Sequence, residues 1–256
     1  KNITVISASS IFRPSQFLFK SIFKNYQNII STINHFFVQN ETSKSLLSSI
    51  GINQVTVSGD TRFDRVYEFK NRDNKLDVIT SFVKNELCFI AGSTWEEDYN
   101  LMEELYIEKK NKKIIIAPHD VSPKSLKTLE KKIKNPYAKW SSFNKKIDSK
   151  KNILIIDVIG VLTKVYSYAS LVYVGGGMGE KGLHNILEPA IFSVPIIIGK
   201  NFSKFKEAFD LVEKRSVFKV ESKADFMIKY KELYGDKNAR EKSGNKNYNY
   251  IKDNKG

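Results

Sequence analysis

The chain has 256 residues, enough for one large domain or for one domain with part of another. Its 42 basic and 28 acidic residues leave a net charge of +14. Lys outnumbers Arg 36 to 6, which fits basic solvated faces rather than the Arg- and aromatic-lined groove of a nucleic-acid binder. A lone cysteine excludes an intrachain disulfide, and no apolar run approaches the roughly 18 residues of a membrane span.

Residues 3–6 read as a strand at the start of the chain. Domains rarely begin mid-strand, so the sequence reads as one whose first part is missing. Phe17, Leu18, Phe19, Ile22, Phe23, Tyr26, Ile29, Ile30 and Ile33 then recur at helical spacing. That face is expected to pack in a core; the alternative is a surface facing a membrane or a lipid substrate. A strand at 36–39, a helix over 42–50 with Gly51 as its cap, and a strand at 55–57 follow. The polar stretch 70–77 reads as a linker. Cys88 sits in the apolar run 87–90 and reads as a small core residue in a reducing compartment.

Beyond the linker, strands are expected at 87–91, 113–117, 152–156, 171–174 and 195–198. Helices are expected at 95–109, 123–134, 161–168, 186–192, 204–214 and 223–234. After Gly235 the chain reads as a Lys/Asn-rich tail. Continuous Ile/Val/Leu strands alternating with helices mean an α/β fold, with a parallel sheet covered on both faces. Such sheets bind ligands beyond the carboxyl ends of their strands.

Four loops fall at that edge. In Gly92-Ser93-Thr94-Trp95-Glu96-Glu97, Ser93 or Thr94 is placed to cap a helix; the other reading turns those hydroxyls toward a donor phosphate or carboxylate. In Ala117-Pro118-His119-Asp120, His119 is placed to meet a base or a phosphate, or is a loop residue bonded to Asp120. In Asp157-Val158-Ile159-Gly160-Val161, Gly160 permits a short turn whose backbone a base could read; an ordinary turn capped by Asp157 is the alternative. The last loop holds Gly175, Gly176, Gly177, Gly179 and Gly182, followed by Asn185-Ile186-Leu187-Glu188. Glycines let a backbone approach an oxyanion, and a helix starting after them offers N–H groups to a phosphate. Glu188 then stands where a carboxylate accepts from two sugar hydroxyls. Asn185 and Glu188 also have capping-box spacing, but five glycines within eight positions favour a ligand site. No His/Asp/Glu cluster has metal-ligand spacing, so no metal is expected.

Taken in order, these stretches resemble the 3-deoxy-D-manno-octulosonic acid (Kdo) transferases of lipopolysaccharide assembly. The resemblance runs through Gly59–Asp64, Ala91–Trp95, Ala117–His119, Asp157–Gly160, Tyr173–Gly177 and Gly182–Pro189. Residues 7–16 are similar to a mid-chain segment of Bacteroidetes-like members. The resemblance implies a GT-B-type fold, with residues 1–70 the remnant of an amino-terminal acceptor domain and 71–256 the CMP-Kdo binding domain. It implies an inverting, metal-independent transfer of Kdo from CMP-Kdo to lipid IVA, without a cofactor, at the cytoplasmic face of the inner membrane. Its general base is a Glu that no residue of this chain matches, so the chain alone is expected to be inactive. Position by position, Pro118 and His119 match a Pro-Arg pair at the nucleotide. Ile159, Gly160 and Val161 match a Met-Gly-Glu turn, and Asn185, Ile186, Leu187 and Glu188 match a segment whose Glu holds the ribose. His119 thus stands for an Arg and Val161 for a Glu. Ser93, Thr94, Gly176, Gly177 and Gly179 are candidate donor contacts. The expected partners are CMP-Kdo, lipid IVA and an anionic membrane surface, without nucleic acid. The competing readings are a UDP-sugar GT-B transferase or epimerase, and a basic nucleic-acid-binding module.

Overall fold

The computed structural model describes residues 4–19, 24–107 and 112–255. Ile3, Ile22, Phe23 and the end of the helix expected over 95–109 lie outside the described residues. The chain forms two compact units, Lys1–Arg65 with Lys252–Gly256, and Val66–Ile251.

The first unit holds three parallel strands, β1 (Ile6–Ser10), β2 (His35–Val38) and β3 (Val55–Val57), in that spatial order. Between β2 and β3 runs the helix Glu41–Ser48. The Asn40 side chain accepts from Ser43 N to start it. Gly51, at φ +83°, turns the chain out past its end, a conformation that favours glycine. Phe36, Val38, Leu47, Ile52 and Val55 form a small core. The aromatic stretch packs there only in part. Ile30 and Ile33 meet the core, whereas Phe17, Tyr26 and Ile29 are 66%, 59% and 64% exposed. The helix Lys24–Ile30 stops before Ile33, so Ile33 does not share one helical face with Tyr26, Ile29 and Ile30.

The expected linker is a short, pinned turn. The helix Thr61–Asn71 runs into it and the helix Asp77–Val83 starts at its end. Asn74 Nδ2 donates to Phe69 O at 2.7 Å, and Leu76 N donates to Tyr168 Oη at 2.7 Å.

The second unit is built on seven strands: β4 (Cys88–Thr94), β5 (Lys113–Pro118), β6 (Tyr137–Lys139), β7 (Ile153–Ile155), β8 (Leu171–Val174), β9 (Ile196–Gly199) and β10 (Val217–Val220). Their spatial order is β10-β9-β8-β4-β5-β7-β6, and every pairing is parallel. Ile90, Ile116, Leu154, Val172 and Ile197 are all fully buried. Each such side chain contributes roughly 1.5–3 kcal/mol by leaving water. From β4 the chain builds outward through β5 to β7 and β6, then returns to place β8 on the other flank of β4. The order reverses at β4, so the loops after β4, β5 and β8 open onto one crevice.

Two strands and the last helix were not expected. β6 is three residues long, and β10 carries a partly exposed Phe218-Lys219 in its middle. The Lys/Asn-rich tail is the helix Lys237–Asn254. Its buried face is Ser243, Gly244, Asn247 and Ile251, which carries almost no apolar periodicity. Polar bonds anchor it instead: Asn247 Nδ2 donates to Val194 O at 2.8 Å and to Ser216 O at 3.2 Å.

Candidate functional site

The end of β4 sets the site. The pairing with β5 shifts register between Gly92 and Thr94, and Ser93 takes φ +53°. The next helix, Glu96–Leu101, begins at Trp95. Neither Ser93 nor Thr94 caps it. Thr94 is buried and its hydroxyl donates to Ala117 O at 3.5 Å. The capping acid is Asp98, three residues past the cap position and fully buried. Its Oδ2 accepts from Trp95 N at 2.8 Å and from Gly176 N at 3.0 Å, and its Oδ1 accepts from Tyr173 Oη at 2.6 Å. One carboxylate therefore fastens the β4 loop to the β8 loop. Burial raises its pKa, against the lowering by those three bonds. Sequence reasoning passed over Asp98; its place as the third residue after an N-cap was the available signal.

Three rings meet above this bond. Trp95 Nε1 donates to His184 Nε2 at 2.9 Å. His119 stacks on both, with centroids 4.7 Å from Trp95 and 4.3 Å from His184. Since the indole nitrogen only donates, His184 Nε2 must accept, and the ring carries its proton on Nδ1. Burial, with His119 beside it, lowers the His184 pKa to about 4. The Lys181 ammonium lies 5.3 Å from the Trp95 ring centroid. His119 is exposed and does not bond to Asp120, whose carboxylate instead accepts from Ser122 N and Oγ at the start of the helix Pro123–Lys132. Pro118 is buried as the last residue of β5.

The glycine loop answers first to packing. A Cβ at Gly175 would lie 2.4 Å from Ser93 O, and one at Gly176, where φ is +89°, would lie 2.1 Å from Gly182 O. Gly177 and Gly199 pack backbone to backbone, and a Cβ on Gly199 would come within 2.3 Å of Gly177 C. The first amides are spent within the protein: Gly175 N donates to Gly92 O, and Gly176 N to Asp98. Gly176 and Gly177 are therefore interior residues, and the Gly176 amide is already taken by Asp98. Ser93 and Gly179 stay half-buried and keep some surface.

The helix expected over 186–192 is the single turn Leu187–Ala190. Asn185 Oδ1 accepts from Leu187 N at 3.0 Å, and Asn185 Nδ2 donates to Glu188 Oε1 at 3.3 Å. The half-buried Glu188 carboxylate is thus oriented by its neighbour, while Ile186 and Leu187 are buried and present only backbone. This turn packs against the stretch Tyr166–Tyr168, which continues the helix Leu162–Val165 begun at Val161. The β7 loop before it carries Gly160 at φ +91° and Ile159, 83% exposed. Asp157 does not cap that turn; it accepts from Ser141 N at 2.8 Å and Ser141 Oγ at 2.5 Å. Among the described residues no three His, Cys, Asp or Glu side chains are grouped to hold a metal ion.

No family model matches the chain. It is 27% identical over 265 residues to the 3-deoxy-D-manno-octulosonic acid transferase of Haemophilus influenzae, covering 98% of this chain and 61% of that protein. It is 29% identical over 180 residues to the enzyme of the same name from Chlamydophila psittaci, covering 68% of this chain and 41% of that protein. A bifunctional glycosyltransferase/methyltransferase of Fusobacterium nucleatum is 28% identical over 238 residues, covering 90% of this chain and 36% of that protein. The chain therefore spans between about a third and three fifths of the length of these relatives. Among solved structures, the C-terminal CMP-Kdo binding domain of WaaA from Acinetobacter baumannii aligns with TM-score 0.59 at 17% identity, covering 74% of this chain and 96% of that one. A UDP-N-acetylglucosamine 2-epimerase aligns with TM-score 0.60 at 11% identity, covering 93% of this chain and 58% of that one. With a GT-B-type fold of Rossmann-like units, the chain is by sequence a relative of the 3-deoxy-D-manno-octulosonic acid transferases.

Proposed function

We propose that the loops after β4, β5, β7 and β8 bind the cytidine nucleotide of CMP-Kdo, and that the whole protein transfers Kdo to the lipid A precursor lipid IVA. The observation that carries this reading is the meeting of Trp95, His119 and His184 at the crevice where the strand order reverses, with Glu188 four residues beyond His184. Relatives from Haemophilus, Chlamydophila and Rickettsia bear the Kdo transferase name. In this reading Glu188, aligned by Asn185, accepts from the ribose hydroxyls. His119 stands toward the phosphate where the family carries an Arg, so a single ring N–H replaces a bidentate fork. The Gly160 turn offers backbone groups to the base.

Transfer releases CMP as a phosphate monoester while the anomeric carbon gains positive charge, so cationic and N–H groups near the leaving phosphate lower the barrier. Deprotonation of the acceptor hydroxyl calls for a carboxylate supplied outside these loops. The exposed Phe17, Tyr26 and Ile29, together with the +14 net charge, suit work at an anionic membrane surface on its cytoplasmic side.

Titration of the chain with CMP and with UDP tests the reading, and CMP is expected to bind more tightly. Glu188→Ala is expected to weaken CMP binding by about 1–3 kcal/mol, the scale of losing a charged hydrogen-bond partner. Tighter UDP binding, or unchanged CMP affinity in a folded Glu188→Ala variant, contradicts it.

A further inference from the structure

Beyond the tip of the glycine loop lies a cavity of about 360 Å³, at the carboxyl ends of β8 and β9. Gly179, Gly182, Lys200, Asn201, Ser203 and Lys204 line most of it. Its volume falls within the ~300–1,000 Å³ of small-molecule sites. Its walls are fixed by the fold. Asn201 N donates to Gly177 O at 2.8 Å, and Asn201 Nδ2 donates to Gly179 O at 2.9 Å. These bonds clamp the β9 loop onto the glycine loop, over the backbone contact of Gly177 with Gly199.

The charge of this cavity is open to a ligand. Lys206 pairs with Asp210, Lys219 with Glu221 and Lys229 with Glu232, but neither Lys200 nor Lys204 joins an ion pair among the described residues. Glu180, exposed, is the one acid of the lining, which leaves it net positive. Gly175 and Gly176 have already given their amides to the protein, so an anion here would be met by ammonium groups rather than by those N–H groups. Gly182, on the cavity wall, precedes Asn185 by three residues, a chain reach of roughly 10 Å. The wall of the cavity thus belongs to the same stretch of chain that runs on into the Asn185–Glu188 turn.

We infer that this cavity is the subsite for the acidic sugar of the donor, with Lys200 and Lys204 holding its carboxylate and Asn201 and Ser203 its hydroxyls. The inference rests on the nucleotide reading above, since it assigns the sugar end of the same donor. It makes the two lysines specificity determinants, because a neutral hexose gives them no charge to meet.

The test compares CMP with CMP-Kdo, read by tryptophan fluorescence on the 256-residue chain and on a Lys200→Ala/Lys204→Ala variant whose melting curve shows it folded. The wild type is expected to bind CMP-Kdo at least about tenfold more tightly than CMP. The double variant is expected to lose that preference while its CMP affinity stays within about twofold. A double variant that keeps the preference overturns the inference. So does a variant that loses CMP and CMP-Kdo affinity alike, which would place the phosphate in the cavity, and so does a wild type without preference. A wild type that binds neither ligand rejects the nucleotide reading itself, a failure distinct from all of these.

Discussion

The Trp95–His184 hydrogen bond fixes a protonation state. A donor-only indole leaves His184 Nε2 as acceptor, and burial holds the ring neutral down to about pH 4. An unfolded His titrates near 6.5, so the folded form resists protonation across the interval between. The stability owed to this residue is complete above pH 6.5 and is lost as the pH falls toward 4. Nitrogen shifts of the His184 ring are expected to show the Nδ1–H tautomer, unprotonated at pH 5.5. An imidazolium signal at that pH would contradict the geometry. At this scale the sequence was uneven. His119 stood out because it sits just past an apolar strand, and Asn185 and Glu188 because they follow the glycine loop. Asp98 did not, because its N3 position announces a helix cap but not a buried acid that also takes the Gly176 amide and a tyrosine. Lys200 and Lys204 look like any of 36 lysines until the cavity is seen.

Elements were legible wherever burial imposed a pattern. Ile114, Ile115 and Ile116, or Ile196, Ile197 and Ile198, can only be central strands, and both are. The short edge strand β6 and the helix Lys237–Asn254 escaped because the one is three residues long and the other carries almost no apolar periodicity. The density of the glycine loop has a packing cause as well: Gly175, Gly176 and Gly177 are needed so that two loops and β9 can approach one another. Gly199→Ala is accordingly expected to lower stability by about 1–3 kcal/mol through overpacking against Gly177. Gly235→Ala, with open space around its Cβ at the end of the helix Lys223–Gly235, is expected to be neutral or slightly stabilising. Thermal melting of both variants checks the contrast, and equal effects would mean the backbone contact carries no constraint.

For the molecule as a whole, alternation of helices with continuous apolar strands was enough to give a parallel α/β architecture and the edge where ligands bind. The point where strand order reverses was not in the sequence, because it depends on β8 returning to the far flank of β4 rather than extending past β7. That return is what brings Trp95, His119 and His184 into contact across 89 residues of chain. The most direct test of the central claim is chemical-shift mapping of CMP on the isotopically labelled chain. The expected result is saturable shifts of the Trp95 indole N–H and the Asn185 side-chain amide, together with backbone amides around His119 and Gly160. Saturating CMP that moves none of these, or that moves only residues at the amino ends of the strands, would contradict it.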